Sequence, residues 1–197
     1  MEFERASAYI LDRLKNELPE ERTYHSLGQT MDVHKVAVSL AEEQGVNGHE
    51  LLILRTAALF HDCGFIYQSL RHEEKSCSIA REALPEFDYG DADIERICAL
   101  IMSTQVPQQP LDELAQILCD ADLDYLGRSD FDEIGEHLFK EFVFDGVVDD
   151  RTGWDELQVN FISSHTYFTK WSKENREQHK LDNLDRVKKR LASPDKS

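Results

Sequence analysis

The chain has 197 residues, 41% of them hydrophobic, enough to bury one full core. Its formal net charge of −17 repels nucleic-acid polymers and anionic membrane surfaces and argues against them as partners, but not against a small phosphorylated molecule held by a local cation. No apolar run approaches the ~20 residues of a membrane span, no basic-then-apolar leader opens the chain, and Cys63, Cys77, Cys98 and Cys119 lack CxxC spacing, so the expectation is a reduced, cytoplasmic, single-domain protein over residues 1–197.

The apolar residues recur at helical spacing from end to end. Phe3, Ala6, Ile10, Leu14 and Leu18 mark a first helix stopped by Pro19. Val33, Val36, Ala37 and Leu40 mark a second, ending near Gly45. Asn47-Gly48-His49-Glu50 reads as a capping box for a third, whose run from Leu51 to Phe60 is apolar nearly all round and so belongs in the middle of a domain. Ser76, Ile79, Ala80 and Ala83 give a fourth helix, broken at Pro85. Ile94, Ile97, Cys98 and Ile101 give a fifth, before Pro107 and Pro110. Leu111, Leu114, Ala115 and Leu118 give a sixth, and Asp130, Asp132 and Glu133 open a seventh that ends near Gly146. Trp154, Leu157, Phe161, His165 and Phe168 give an eighth, and Leu184, Val187 and Leu191 a last one before Pro194. No period-two strand, repeat or low-complexity segment interrupts this order, so the predicted class is all-α, a compact multi-helix bundle.

His61-Asp62 follows the most apolar helix, where an unpartnered polar side chain costs kcal/mol. Residues at i and i+4 share a helix face. Asp122 lies four after Leu118, Gln29 four before Val33, and His72 four before Ser76; His25 lies one further step before Gln29. Several polar side chains from different helices are thereby aimed into one core, as a metal site in a helical bundle requires. The plain alternative is that each inward His or Gln is a hydrogen-bonded core residue. Asp120, Asp122 and Asp124 crowd three carboxylates beside an apolar stripe, which calls for a compensating cation. His34, His49, His137 and His179 fall off the inward faces and read as surface residues, and His165 reads as core packing.

Tyr24-His25-Ser26-Leu27-Gly28-Gln29, then Leu59-Phe60-His61-Asp62-Cys63-Gly64, then Arg71-His72-Glu73-Glu74-Lys75-Ser76, then Leu118-Cys119-Asp120-Ala121-Asp122 together resemble, in order and spacing, the HD-domain metal-dependent phosphohydrolases. The likeness covers roughly residues 22–170. It implies an HD-domain bundle with flanking N- and C-terminal helices, a divalent metal ion (Mn, Fe, Co, Ni or Mg) held by His61, Asp62 and Asp122, and attack on phosphorus by metal-activated water. The expected substrate is a small phosphate ester, a nucleotide in particular. Asp62, His72 and Lys75 are the catalytic candidates, and Arg71, His25 and Gln29 the substrate-binding ones.

The chain departs from the family pattern in two places. Gln29 stands where the family has its first metal-ligand His, and a carboxamide oxygen is a weaker transition-metal ligand than imidazole. Ile101-Met102-Ser103-Thr104-Gln105 lacks the further His of dinuclear members, so the expected centre holds one ion, with Gln29 or His25 as an optional fourth ligand. The alternative function is a catalytically weakened HD-fold sensor or scaffold. A homo-oligomer is left open.

Overall fold

Proline, glycine and capping residues set the helix ends in the computed structural model, which describes residues 1–193. Helix α1 (Phe3–Glu17) stops because Leu18, the residue before Pro19, is extended. Helix α2 (Leu27–Glu43) starts at Ser26, whose side chain accepts the Gln29 backbone N–H, and buries Thr30, Val33, Ala37, Leu40 and Ala41. Helix α3 (Gly48–Phe60) buries Ile53, Leu54, Thr56, Ala57, Ala58, Leu59 and Phe60, as its all-round apolar run predicts. Each fully buried large side chain of this kind contributes about 1.5–3 kcal/mol. Thr56 is the polar exception, and it is satisfied: its hydroxyl donates to Leu52 O and meets the Tyr89 hydroxyl at 2.8 Å.

Helices α4 (His72–Ala83), α5 (Asp91–Ser103) and α6 (Glu113–Asp122) complete a first compact unit, Met1–Asp122. Within it α3 packs against α2, α5, α1, α6 and α4, and α2 packs on α6. This brings the start of α2 and the end of α6 to the end of α3.

A second unit begins at Leu123 and contains α7 (Phe131–Phe144), α8 (Arg151–Ser164), α9 (Lys170–Asn175) and α10 (Glu177–Ala192). Its α8 and α10 are joined by Arg190, which donates to both oxygens of buried Asp155 at 2.8 and 2.7 Å.

The described residues form ten α-helices and three short 3-10 turns, with no strand, as the all-α expectation holds. None of these helices is long and apolar enough to cross a membrane.

Several local expectations differ. Asn47 does not cap α3; its amide donates to Gly45 O at 2.9 Å instead. Leu111 is 95% exposed, because α6 begins only at Glu113, after Asp112 accepts the Ala115 N–H. Helix α8 ends at Ser164, so His165 is its C-cap and Phe168 lies beyond it. His34 is half-buried rather than a surface residue, its ring stacked on Phe3. Pro194, expected to follow the last helix, lies outside the described residues.

Candidate metal centre

The site is built inside the first unit, from the residues at the end of α3 outward. His61 is the C-cap residue of α3 and is fully buried. Its Nδ1 stands 2.8 Å from Ala58 O. A carbonyl only accepts, so Nδ1 carries the proton and Nε2 is the nitrogen turned toward the carboxylates. This arrangement, a ring N–H tied to a backbone carbonyl, is how metal-binding histidines are held in one tautomer.

Nε2 of His61 faces Asp62 Oδ2 at 3.1 Å and Asp122 Oδ1 at 3.4 Å. Asp62 opens the 3-10 turn Cys63–Ile66, and Asp122 is the last residue of α6. Among the described residues these three offer ligand atoms within 4.8 Å of one another. Burial lowers the His61 pKa, but the two carboxylates outweigh it and hold the ring well above its ordinary range. Burial likewise raises Asp62, and the imidazoles of His61 and His72 overturn this and hold it well below the usual carboxylate range.

The fit to a divalent ion is good on two observations. Metal–ligand bonds of about 2.0–2.2 Å at tetrahedral or right angles set ligand atoms roughly 2.8–3.6 Å apart, and the observed separations from His61 Nε2 are 3.1 and 3.4 Å. The second observation is Gln29: its Nε2 stands 3.4 Å from His61 Nε2, while its Oε1 is buried without a hydrogen-bond partner. Gln29 occupies the third position after the Ser26 cap, where a Gln side chain often turns back to the cap. Here the Ser26 N–H is taken by Tyr24 O, and the Gln29 side chain turns to His61.

His72 is the first residue of α4. Arg71 before it takes a left-handed conformation, φ 58°, that turns the chain into the helix. His72 Nδ1 donates to Ser69 O at 3.1 Å, so its Nε2 faces Asp62 Oδ1 at 3.3 Å and Glu73 Oε1 at 3.5 Å. Burial lowers the His72 pKa and the Asp62 carboxylate raises it by more, leaving it above the ordinary value. The turn after Asp62 sits tightly on α4: a Cβ on Gly64 would fall 2.0 Å from His72 O, and the Gly64 N–H donates to Ser76 Oγ at 2.8 Å.

Of the residues singled out in the sequence, His61, Asp62, Asp122, Gln29 and His72 come together. His25 precedes the Ser26 cap and so lies outside α2; its ring stacks on Phe65 at 3.8 Å and stands 6.1 Å from His72. Lys75 places Nζ 4.4 Å over the Tyr67 ring, and Arg71 is exposed with Nε 3.8 Å from Glu74. Of the three crowded carboxylates only Asp122 joins the cluster. Asp124 belongs to the second unit, where Arg176 at 2.6 Å and Arg128 at 3.7 Å neutralise it.

Sequence reasoning missed Gln108. Its amide donates to Cys119 O at 3.4 Å and to Asp122 Oδ2 at 3.3 Å, which leaves Asp122 Oδ1 turned to His61. It missed Phe65 as well, the ring against which His25 and His72 both pack. Gln108 lies in a Pro-rich loop with no periodicity to reveal its direction; Phe65 follows His61-Asp62 closely, and that proximity was the available signal.

Comparison with curated proteins and with solved structures finds no match. Comparison with protein-family models matches the HD domain over residues 22–124, more than half of the chain and the whole span from His25 to Asp122. The match takes in the segments that supply His61, Asp62, His72 and Asp122, and with it the chain belongs to the HD domain family.

Proposed function

We propose that the protein is a metal-dependent phosphohydrolase acting on a small phosphate ester, with nucleotides the first class to test. One arrangement carries this reading: the Asp62 carboxylate is shared between His61, inside the His61–Asp62–Asp122 cluster, and His72, at its edge. Family membership supports the same chemistry. When bound by His61, Asp62 and Asp122, a divalent ion (Mn, Fe, Co, Ni or Mg) supplies Lewis-acid polarisation of phosphoryl oxygen and a water of lowered pKa.

The chain's own groups divide the remaining work. Asp62 has one oxygen on the cluster and one on His72, so a proton taken from water by Asp62 can be handed to Nε2 of a neutral His72. His72 has Nδ1 committed to Ser69 O, which leaves Nε2 to hold a proton for the leaving oxygen. Arg71 and Lys75 flank this helix start on long side chains that reach a phosphate by turning from Glu74 and Tyr67. These local cations oppose the repulsion that a chain of net charge −17 exerts on an anion. His25 and Gln29 line the same approach as substrate contacts. The four free, buried thiols support a reducing, cytoplasmic setting.

The test is phosphate release from nucleoside monophosphates and a generic aryl phosphate by protein loaded with Mn2+ or Co2+. Release by the natural chain and none by Asp122→Ala supports the reading; background release by both overturns it. The contact of the Gln29 amide with His61 Nε2 favours a second reading, a ligand sensor with a weakened metal site, which predicts thermal stabilisation by a nucleotide without turnover.

A further inference from the structure

We infer that Gln29 donates its carboxamide oxygen to the bound ion as a fourth protein ligand, and that this biases the site toward hard, oxygen-preferring cations (Mn2+ and Mg2+) and away from Ni2+ and Zn2+. The inference rests on the metal-binding part of the reading above. It starts from an atom in difficulty: Gln29 Oε1 is buried and has no hydrogen-bond partner. Its amide partner atom, Nε2, meanwhile stands 3.4 Å from His61 Nε2, the nitrogen directed at the two carboxylates.

A half-turn of the planar amide exchanges the two atoms. The torsion involved is broad and two-fold, so the exchange is cheap. It sets Oε1 beside His61 Nε2, the nitrogen that itself faces Asp62 Oδ2 and Asp122 Oδ1. A cation at those atoms selects that orientation, because an amide oxygen ligates and an amide nitrogen does not. The orphaned oxygen then gains its missing partner.

The resulting protein donors are one imidazole nitrogen, two carboxylates and one amide oxygen. Oxygen-rich sets suit Mg2+ and Mn2+, whereas Ni2+ and Zn2+ gain most from additional imidazole. The absolute order of affinities still follows the intrinsic series of the metals, so the bias is read as a ratio between variants.

The experiment is calorimetric titration of metal-free protein with MnCl2, NiCl2 and ZnCl2, for the natural chain, Gln29→His, Gln29→Leu and Gln29→Glu, with circular dichroism confirming each fold. Loss of a ligand should matter no less than loss of an outer-shell partner, about 10–100-fold in affinity. Gln29→Leu should therefore bind Mn2+ at least about tenfold more weakly, and Gln29→Glu, which keeps an oxygen donor, should retain it. Gln29→His should tighten Ni2+ and Zn2+ at least about tenfold more than Mn2+. In 15N NMR spectra the Gln29 side-chain amide should shift on titration with Mg2+. Unchanged Mn2+ binding by Gln29→Leu, equal gains for all three metals in Gln29→His, or a stationary amide signal in ion-bound protein overturns the role of Gln29 alone. Failure of the natural chain to bind any of these ions overturns the metal site with it.

Discussion

The Gln108 amide donates to Asp122 Oδ2 at 3.3 Å, and Asp122 Oδ1 therefore faces His61 Nε2 at 3.4 Å. A carboxylate on the last residue of a helix would otherwise rotate freely between solvent and the cluster. Gln108 is held in turn by Cys119 O, one turn back on the same helix. The pair is thus a small frame that selects which oxygen of Asp122 faces inward.

Replacing Gln108 by Leu removes the frame and leaves His61, Asp62 and Asp122 in place. The expected outcome is a loss of about 10–100-fold in metal affinity, read by calorimetry, which is the range for outer-shell partners of metal ligands. The cost in folding stability should be small, about 1 kcal/mol for a lost hydrogen bond, read by urea unfolding. Metal affinity equal to that of the natural chain would show that Asp122 needs no such support.

His72→Asn tests the proton donor. Removing a positioned general acid lowers kcat by about 100-fold or more on substrates with poor leaving groups. A nitrophenyl phosphate, whose leaving group needs little protonation, should lose far less. Equal losses on both substrates would assign His72 to holding Asp62 instead, through the 3.3 Å contact between them.

Gly64→Ala tests the close approach behind the site. The added Cβ would stand 2.0 Å from His72 O, a backbone atom that cannot move aside as a flexible side chain would. The expected destabilisation is at the upper end of overpacking costs, about 3 kcal/mol, measured by urea unfolding. An unchanged midpoint would mean that the turn and α4 separate easily.

His165 gives the second unit a pH dependence. Burial, with Lys180 adding to it, pushes the His165 pKa down to about 3, against about 6.5 in an unfolded chain. Neutral His165 lets the Lys180 ammonium sit 3.4 Å from its Nδ1 while donating to His165 O at 2.7 Å. A depressed folded pKa gives stability that is complete above about pH 6.5 and is lost progressively as pH falls toward 3. Thermal unfolding of the natural chain should therefore weaken from pH 7 to pH 4, and His165→Gln should flatten that slope. Parallel slopes for both proteins would place the acid sensitivity elsewhere.

Much of the first unit is legible from residue order. The run from Leu51 to Phe60 is apolar nearly all round, so α3 had to be central, and His61-Asp62 at its end had to meet other side chains. Asp122, four residues after Leu118, shares the Leu118 face of α6 by helical periodicity, and its partly buried carboxylate meets His61 there. Local rules also explain where the stripe argument stops: Ser26 caps α2, so His25 falls outside the helix and packs on Phe65 instead.

By itself, then, the chain determined an all-helical class, the ends of most helices, and a set of inward polar positions that includes His61, Asp62 and Asp122. Those follow from short-range periodicity, capping and proline sterics, which act within a few residues. Tertiary structure alone decided that Gln108 orients Asp122, that Asp124 is neutralised by Arg176 within the second unit, and that Gln29 turns toward His61 with an oxygen left unpartnered. Each is a side-chain direction chosen among partners far away in sequence, and helical spacing carries no information about which distant group meets it.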